Sequence, residues 1–103
     1  MQSTTGTALG WGNRGAFDII NFILIVCING SMITHIMYRC NLNSKQTQVY
    51  VSFLLRCGLL RKEKAGGSNK FVYQATDRAR RYLELFSELS KIFDLAREPE
   101  IAA

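Results

Sequence analysis

Two short helical patterns meet at Asn41-Leu42-Asn43, and that junction constrains the chain more than any other stretch. Before it, Ile33, Ile36, Met37 and Cys40 recur at three- and four-residue spacing. This marks one face of a short helix that begins near Ser31 or Thr34 and ends at Cys40. After it, Asn43 stands where an N-cap belongs, and Gln46 follows at the spacing of a capping box. The helix they open runs from Ser44 to Cys57, where Gly58 supplies a stop. Leu42 is the one apolar residue of the turn and pins it inward. Two short helices joined this tightly form a helix-turn-helix.

The flanking patterns complete the expected fold. Phe17 to Ile28 is almost continuously apolar, which predicts a helix buried on most of its surface and ended by Asn29-Gly30. Past Gly58, Leu59–Glu63 and Phe71–Ala75 are short strand-like runs. The polar stretch from Lys64 to Lys70 joins them through Gly66-Gly67, so the pair is expected to form a hairpin with a mobile tip, a wing. Thr76 can N-cap a last helix, Asp77 suits its first turn, and Pro99 ends it. At 103 residues and 48% hydrophobic there is room for one core. The expected class is mainly α (α+β), a winged helix-turn-helix over residues 16–76. A flexible, Ser/Thr/Gly-rich tail (1–15) precedes it and a C-terminal dimerisation helix (77–98) follows.

Several function classes fall away. The longest apolar stretch, Ile19–Ile28, is interrupted by Asn21 and is about half of the ~20 residues a membrane span needs. Asp18 precedes it and no basic segment or cleavage site frames it, so a secretory leader is not indicated. A soluble cytoplasmic, nucleoid-associated protein is expected. Cys27, Cys40 and Cys57 are odd in number and widely spaced, which suits small buried side chains rather than disulfides or a metal site. His35 is the sole histidine, with a packing or surface role expected. No nucleophile is paired with a base and no glycine loop cradles phosphate, so neither enzymatic activity nor a cofactor is expected.

Charge separates along the chain. From Met1 to Leu83 eleven Lys/Arg face three acids, whereas from Glu84 onward two basic residues face five acidic ones. The first part suits a polyanion. On the third helix Thr47, Tyr50, Val51, Leu54 and Cys57 form an inward stripe, leaving Ser44, Lys45, Gln46, Gln48, Val49 and Ser52 outward. Lys can contact guanine or phosphate, Gln can pair with adenine, and Ser is tolerant. An ordinary solvated face would carry Glu, and none occurs between Asn41 and Lys62. The helix N-terminus adds N–H donors for phosphate. Arg61, Lys62, Lys64 and Lys70 surround the wing glycines, with Arg39 and Arg78 as further candidate DNA contacts. A plain flexible turn explains the glycines equally well but not the flanking cations, although hairpin edges often carry Lys to discourage edge pairing.

On the last helix Ala79, Tyr82, Phe86, Leu89, Phe93 and Ala96 alternate spacings of three and four, and Leu85 and Ile92 widen the seam. About 20 residues at ~1.5 Å each give a helix of about 30 Å, more than a small domain needs to cover its core. Tyr82, Leu85, Phe86, Leu89, Ile92, Phe93 and Ala96 are therefore the expected homodimer contacts, since monomers rarely leave such a patch in water.

The run Thr34-His-Ile-Met-Tyr-Arg-Cys-Asn-Leu-Asn43, followed by Tyr50, Phe53-Leu54, Gly58-Leu59-Leu60, Phe71-Val-Tyr73 and Thr76, resembles the archaeal winged-helix proteins of the Sulfolobus 10a type. The resemblance covers about Ala16 to Ala96. It implies a basic dimeric protein that binds double-stranded DNA, joined by an antiparallel coiled coil of C-terminal helices, and a chromatin or transcription-regulating role. Thr47, where that family usually has Leu, and Asn43-Ser44, where Ser-Tyr is common, depart from its pattern. The rival from another class is a winged-helix module that binds other proteins without DNA. RNA binding is less supported, because no exposed aromatic platform is evident in the sequence.

Overall fold

The structure is a computed structural model that describes residues 15–67 and 69–94. Its elements run α1 (Ala16–Val26), α2 (Ile33–Arg39), α3 (Ser44–Arg56), β1 (Leu60–Lys64), β2 (Phe71–Ala75) and α4 (Asp77–Asp94). The expected N-terminal tail, Ala96 and Pro99 lie outside the described residues.

The α2–α3 junction forms as its residues suggest. Asn41 adopts φ 55, the left-handed conformation that Asn tolerates better than most residues. Its N–H donates to Tyr38 O at 3.2 Å, and that of Leu42 donates to Met37 O at 3.0 Å. This is a Schellman closure with Leu42 folded into the core. The capping box opens α3 two residues later. Gly58, at φ 76, repeats the closure on α3, with Gly58 N–H donating to Leu55 O and Leu59 N–H to Leu54 O. That use of Leu59 explains why β1 starts one residue later than the apolar run predicts.

α1 departs from expectation twice. It ends at Val26 rather than Ile28, because the Cys27 carbonyl accepts N–H groups from both Gly30 (3.0 Å) and Ala75 (2.9 Å) and so leaves the helical ladder for the sheet. It is also buried on one face only. Ile19, Ile20, Ile23, Leu24 and Cys27 enter the core, whereas Phe17, Phe22 and Ile25 remain exposed. An unbroken apolar run carries no periodicity to show which face is covered.

β1 and β2 pair antiparallel, with Leu60 opposite Ala75 and Lys64 opposite Phe71. Ser31 adds a third, one-residue strand on the far side of β2 through two bonds with Tyr73, of 3.0 and 2.8 Å. One core joins the helices to the hairpin: Ile23, Leu24, Ile36, Val51, Leu54, Leu60, Ala75 and Ala79 belong to a single buried cluster. Thr47 is buried where a larger apolar residue would be ordinary, and its hydroxyl is satisfied by Asn43 O at 2.8 Å. Cys27, Cys40 and Cys57 cap the C-terminal ends of α1, α2 and α3. Burial, with a smaller contribution from Cys40, pushes the Cys27 thiol up from 9.0 to about 12, so it packs as an uncharged small group.

Gly30 is the tightest backbone position. It has φ 88, and an added Cβ would meet the Val72 side chain at 2.8 Å. Gly66 has φ 60 but open space around it. Replacing Gly30 by Ala is expected to destabilise the fold by about 2–4 kcal/mol, through left-handed strain plus overpacking. The same change at Gly66 is expected to cost about 1–2 kcal/mol, from strain alone. Urea unfolding of the two variants checks the difference.

Candidate nucleic-acid interface

The outward set on α3 is exposed at every position: Ser44, Lys45, Gln46, Gln48, Val49 and Ser52. The opposite face holds Thr47, Val51 and Leu54 in the core, with Tyr50 and Cys57 half-buried. Lys45, Gln48, Val49 and Ser52 line one open groove, and its fifth lining residue is Arg56. Steps of four, three and four from Lys45 through Val49 and Ser52 to Arg56 keep these residues on one helix face. Sequence reasoning overlooked Arg56, although the same spacing, carried one turn past Ser52, reaches it. The groove thus has a cation at each end, donors between them and no carboxylate in its lining.

Gln46 has a different role from the one expected of a base reader. Its Oε1 accepts the Asn43 N–H at 3.0 Å, and its own N–H donates to Asn43 Oδ1 at 2.7 Å. Both halves of the capping box are made, and Gln46 does not line the groove. The box leaves the first-turn N–H groups of Ser44 and Lys45 without acceptors inside the helix, which suits an anion there.

The wing sorts its cations by face, since alternate residues of a strand point to opposite sides. Lys62 lies with its ammonium 4.4 Å from the centroid of Phe71 and 6.0 Å from that of Tyr73, so cross-strand aromatic rings hold it in place. Arg61, on the other face, is bound to Glu63 at 2.7 Å, with both side chains more than half exposed. A pair this exposed is worth about 0–1 kcal/mol, but it offsets the Arg61 charge locally. Lys64 and Lys70 are exposed on either side of the tip, whose turn is closed by Ala65 N–H donating to Lys70 O.

Other expected contacts are placed elsewhere. Arg39 is exposed in the last turn of α2, where the helix dipole favours a cation without any partner. Arg78 lies in the first turn of α4 and lines a separate groove with Cys57 and Leu59. On α4, Tyr82 and Phe86 are engaged within the chain. The Tyr82 hydroxyl donates to Asn21 Oδ1 at 2.5 Å, and the Phe86 ring packs between those of Phe17 and Tyr82 at centroid distances of 6.3 and 5.9 Å. Leu85, Leu89, Ile92 and Phe93 are the residues of this seam left exposed, between 49% and 64%. Among the described residues no group of three His, Cys, Asp or Glu side chains could hold a metal ion, and no helix is long and apolar enough to cross a membrane.

A second helix set across the first by a tight turn, followed by a basic hairpin built into the same core, defines a winged helix-turn-helix protein. The chain belongs to the winged helix-turn-helix family, whose sequence model it matches over residues 13–94. Its fold is similar to the crystal structure of Sso10a-2, a DNA-binding protein from Sulfolobus solfataricus. The TM-score is 0.69 at 24% identity, over 81% of this chain and 85% of that one. The 10a-type resemblance seen in the sequence is thus borne out in the fold. No curated protein matches the chain.

Gln46→Ala is expected to lower stability by about 1 kcal/mol through the lost cap. Gln48→Ala, an exposed change away from any cap, is expected to stay within about 0.5 kcal/mol. Chemical denaturation of the two variants separates a capping Gln from one available to a base.

Proposed function

We propose that this protein binds double-stranded DNA as a homodimer, with the exposed face of α3 in the major groove and the wing on the adjoining backbone. The observation that carries this reading is the acid-free α3 groove, open to solvent and bracketed by Lys45 and Arg56. Its lining side chains are those able to reach base edges and phosphates. Membership of the winged helix-turn-helix family and the fold shared with a DNA-binding protein support it.

The dimer would form through α4. Leu85, Leu89 and Ile92 are spaced by four and three, with Phe93 beside them, so they make one apolar strip next to the face that packs on α1. Covering that strip removes apolar surface that a monomer rarely tolerates. Charge favours an antiparallel pairing: Arg78, Arg80 and Arg81 outweigh Asp77 at the start of α4, and Glu84, Glu88 and Asp94 outweigh Lys91 beyond. The basic start of one helix then meets the acidic end of the other. Such a dimer presents two α3 helices to one duplex and suits a transcriptional regulator or a chromatin protein at the nucleoid. Footprinting distinguishes these, since a discrete palindrome marks a regulator and uniform coverage a chromatin protein.

Arg56→Ala is expected to weaken duplex binding and reduce the slope of log K against log salt by about one, the loss of one phosphate contact. Glu63→Gln is expected to strengthen binding at low salt by releasing Arg61. Fluorescence anisotropy over a salt series measures both. Unchanged affinity and slope in both variants contradict the docking. A monomer by sedimentation with no duplex affinity at moderate salt favours the protein-binding module instead.

A further inference from the structure

A groove between the wing and α2 follows from where the one-residue strand stops. Ser31 bridges Tyr73 through two backbone bonds, and the chain then turns into α2 at Ile33. Toward the wing tip, pairing along that side of β2 therefore ends at Tyr73. An opening of about 350 Å³ is left between the start of α2 and the outer part of β2, lined by Met32, Ile33, Thr34, Lys70, Phe71 and Tyr73. That volume is within the range of small-molecule sites, about 300–1,000 Å³. No residue of α3 or α4 is in the lining, so the groove is separate from the α3 face and from the α4 strip given to a second copy.

The lining combines flat apolar surface with positive charge. Phe71 and Tyr73 are two residues apart in β2, so their rings share one face of the hairpin. Phe71 is 39% exposed and Met32 is 38% exposed, which leaves a ring and a flexible thioether in water at the same opening. Lys62 holds both rings, with its ammonium 4.4 and 6.0 Å from their centroids, yet Lys62 does not line the groove. The rings are thus fixed from one side and face the groove on another. Lys70 is the lining cation, Thr34 adds an exposed hydroxyl, and no carboxylate is among the lining residues.

We propose that this groove takes an unpaired base of single-stranded DNA, stacked on Phe71 and Tyr73 and bordered by Met32, with Lys70 on the adjoining phosphate. Aromatic side chains bind any base in this way, because every base has a π-face, and a nearby cation follows the backbone. An inorganic anion would leave the rings unused, and a purely apolar occupant would leave the Lys70 charge poorly solvated. A base inside a duplex is already stacked on its neighbours and enters such a site only when it leaves the helix. The groove therefore reads an opened strand, a form of DNA that the α3 face does not select. The choice of DNA over RNA rests on the duplex reading above, since Lys70 belongs to the wing proposed to lie on DNA; the stacking itself does not.

Fluorescence anisotropy of the full chain with a short oligothymidine, an abasic strand of equal length and an oligouridine tests it. The abasic strand keeps the phosphates and lacks the bases, so the ratio of the first two affinities isolates stacking. Oligothymidine is expected to bind at least about fivefold more tightly than the abasic strand, and at least as tightly as oligouridine. Phe71→Leu should reduce the thymidine-to-abasic ratio at least about threefold. Arg56→Ala should weaken duplex binding and leave that ratio in place. Should Phe71→Leu not fold, amide shifts of the unaltered protein decide: those seen with oligothymidine and not with the abasic strand should fall at Met32, Ile33 and Thr34 and at Phe71 and Tyr73. Equal affinity for the two strands, a ratio unchanged in folded Phe71→Leu, base-dependent shifts confined to α3 or α4, or tighter binding of oligouridine each overturn the proposal. Duplex binding with a ratio near one contradicts this site alone. A high ratio without duplex affinity supports the site and contradicts the duplex reading alone.

Discussion

An isolated two-stranded hairpin is marginal in water, and the position of this wing depends on the backbone pairing that ties β2 to the turn after α1. Cys27 O accepts from Ala75 N–H, and Ser31 exchanges two bonds with Tyr73. The side chain of Gln74 donates to Ile28 O on the same stretch. These contacts make β2 a central strand between β1 and Ser31, and they place the last buried residue of the hairpin, Ala75, in the cluster that also holds α3 through Val51 and Leu54. The distance between the wing cations and the α3 face is therefore set by the core and not by a loose loop. Gly30 is where this arrangement leaves no room for a side chain.

Much of this was legible in the chain because the signals are local. Asn43, Gln46 and Gly58 announce the two ends of α3 by hydrogen-bonding chemistry that operates within a few residues, and Thr76 does the same for α4. The one-residue strand at Ser31 was not legible, since its partner is Tyr73, forty-two positions away, and a single bridging residue has no period. The exposed face of α1 was hidden for a related reason. Phe17, Phe22 and Ile25 are as apolar as Ile19, Ile23 and Leu24, so only tertiary contacts distinguish them.

At the candidate interface the same division holds. Which residues of α3 face outward follows from 3.6-residue geometry, and all six expected positions are exposed. What the geometry does not reveal is competition for a side chain. Gln46 is drawn into the cap and Arg61 into a pair with Glu63, whereas Lys62 is positioned by Phe71 and Tyr73 from across the hairpin. Arg56, at the far end of α3, lines the groove that Gln46 does not. α4 likewise serves two surfaces: Ala79, Tyr82 and Phe86 close the core and the flank of α1, and the strip from Leu85 to Phe93 is displaced around the helix from them.

Duplex DNA is proposed to meet the α3 groove and the wing together. Mapping backbone amide shifts by two-dimensional NMR while a duplex is added tests it most directly. Changes are expected to concentrate at Ser44, Lys45, Gln48, Val49, Ser52 and Arg56 and at Lys62 through Lys70, with Leu89 to Phe93 little affected. Changes confined to α4 or to the exposed side of α1, with α3 and the wing unmoved, would contradict it.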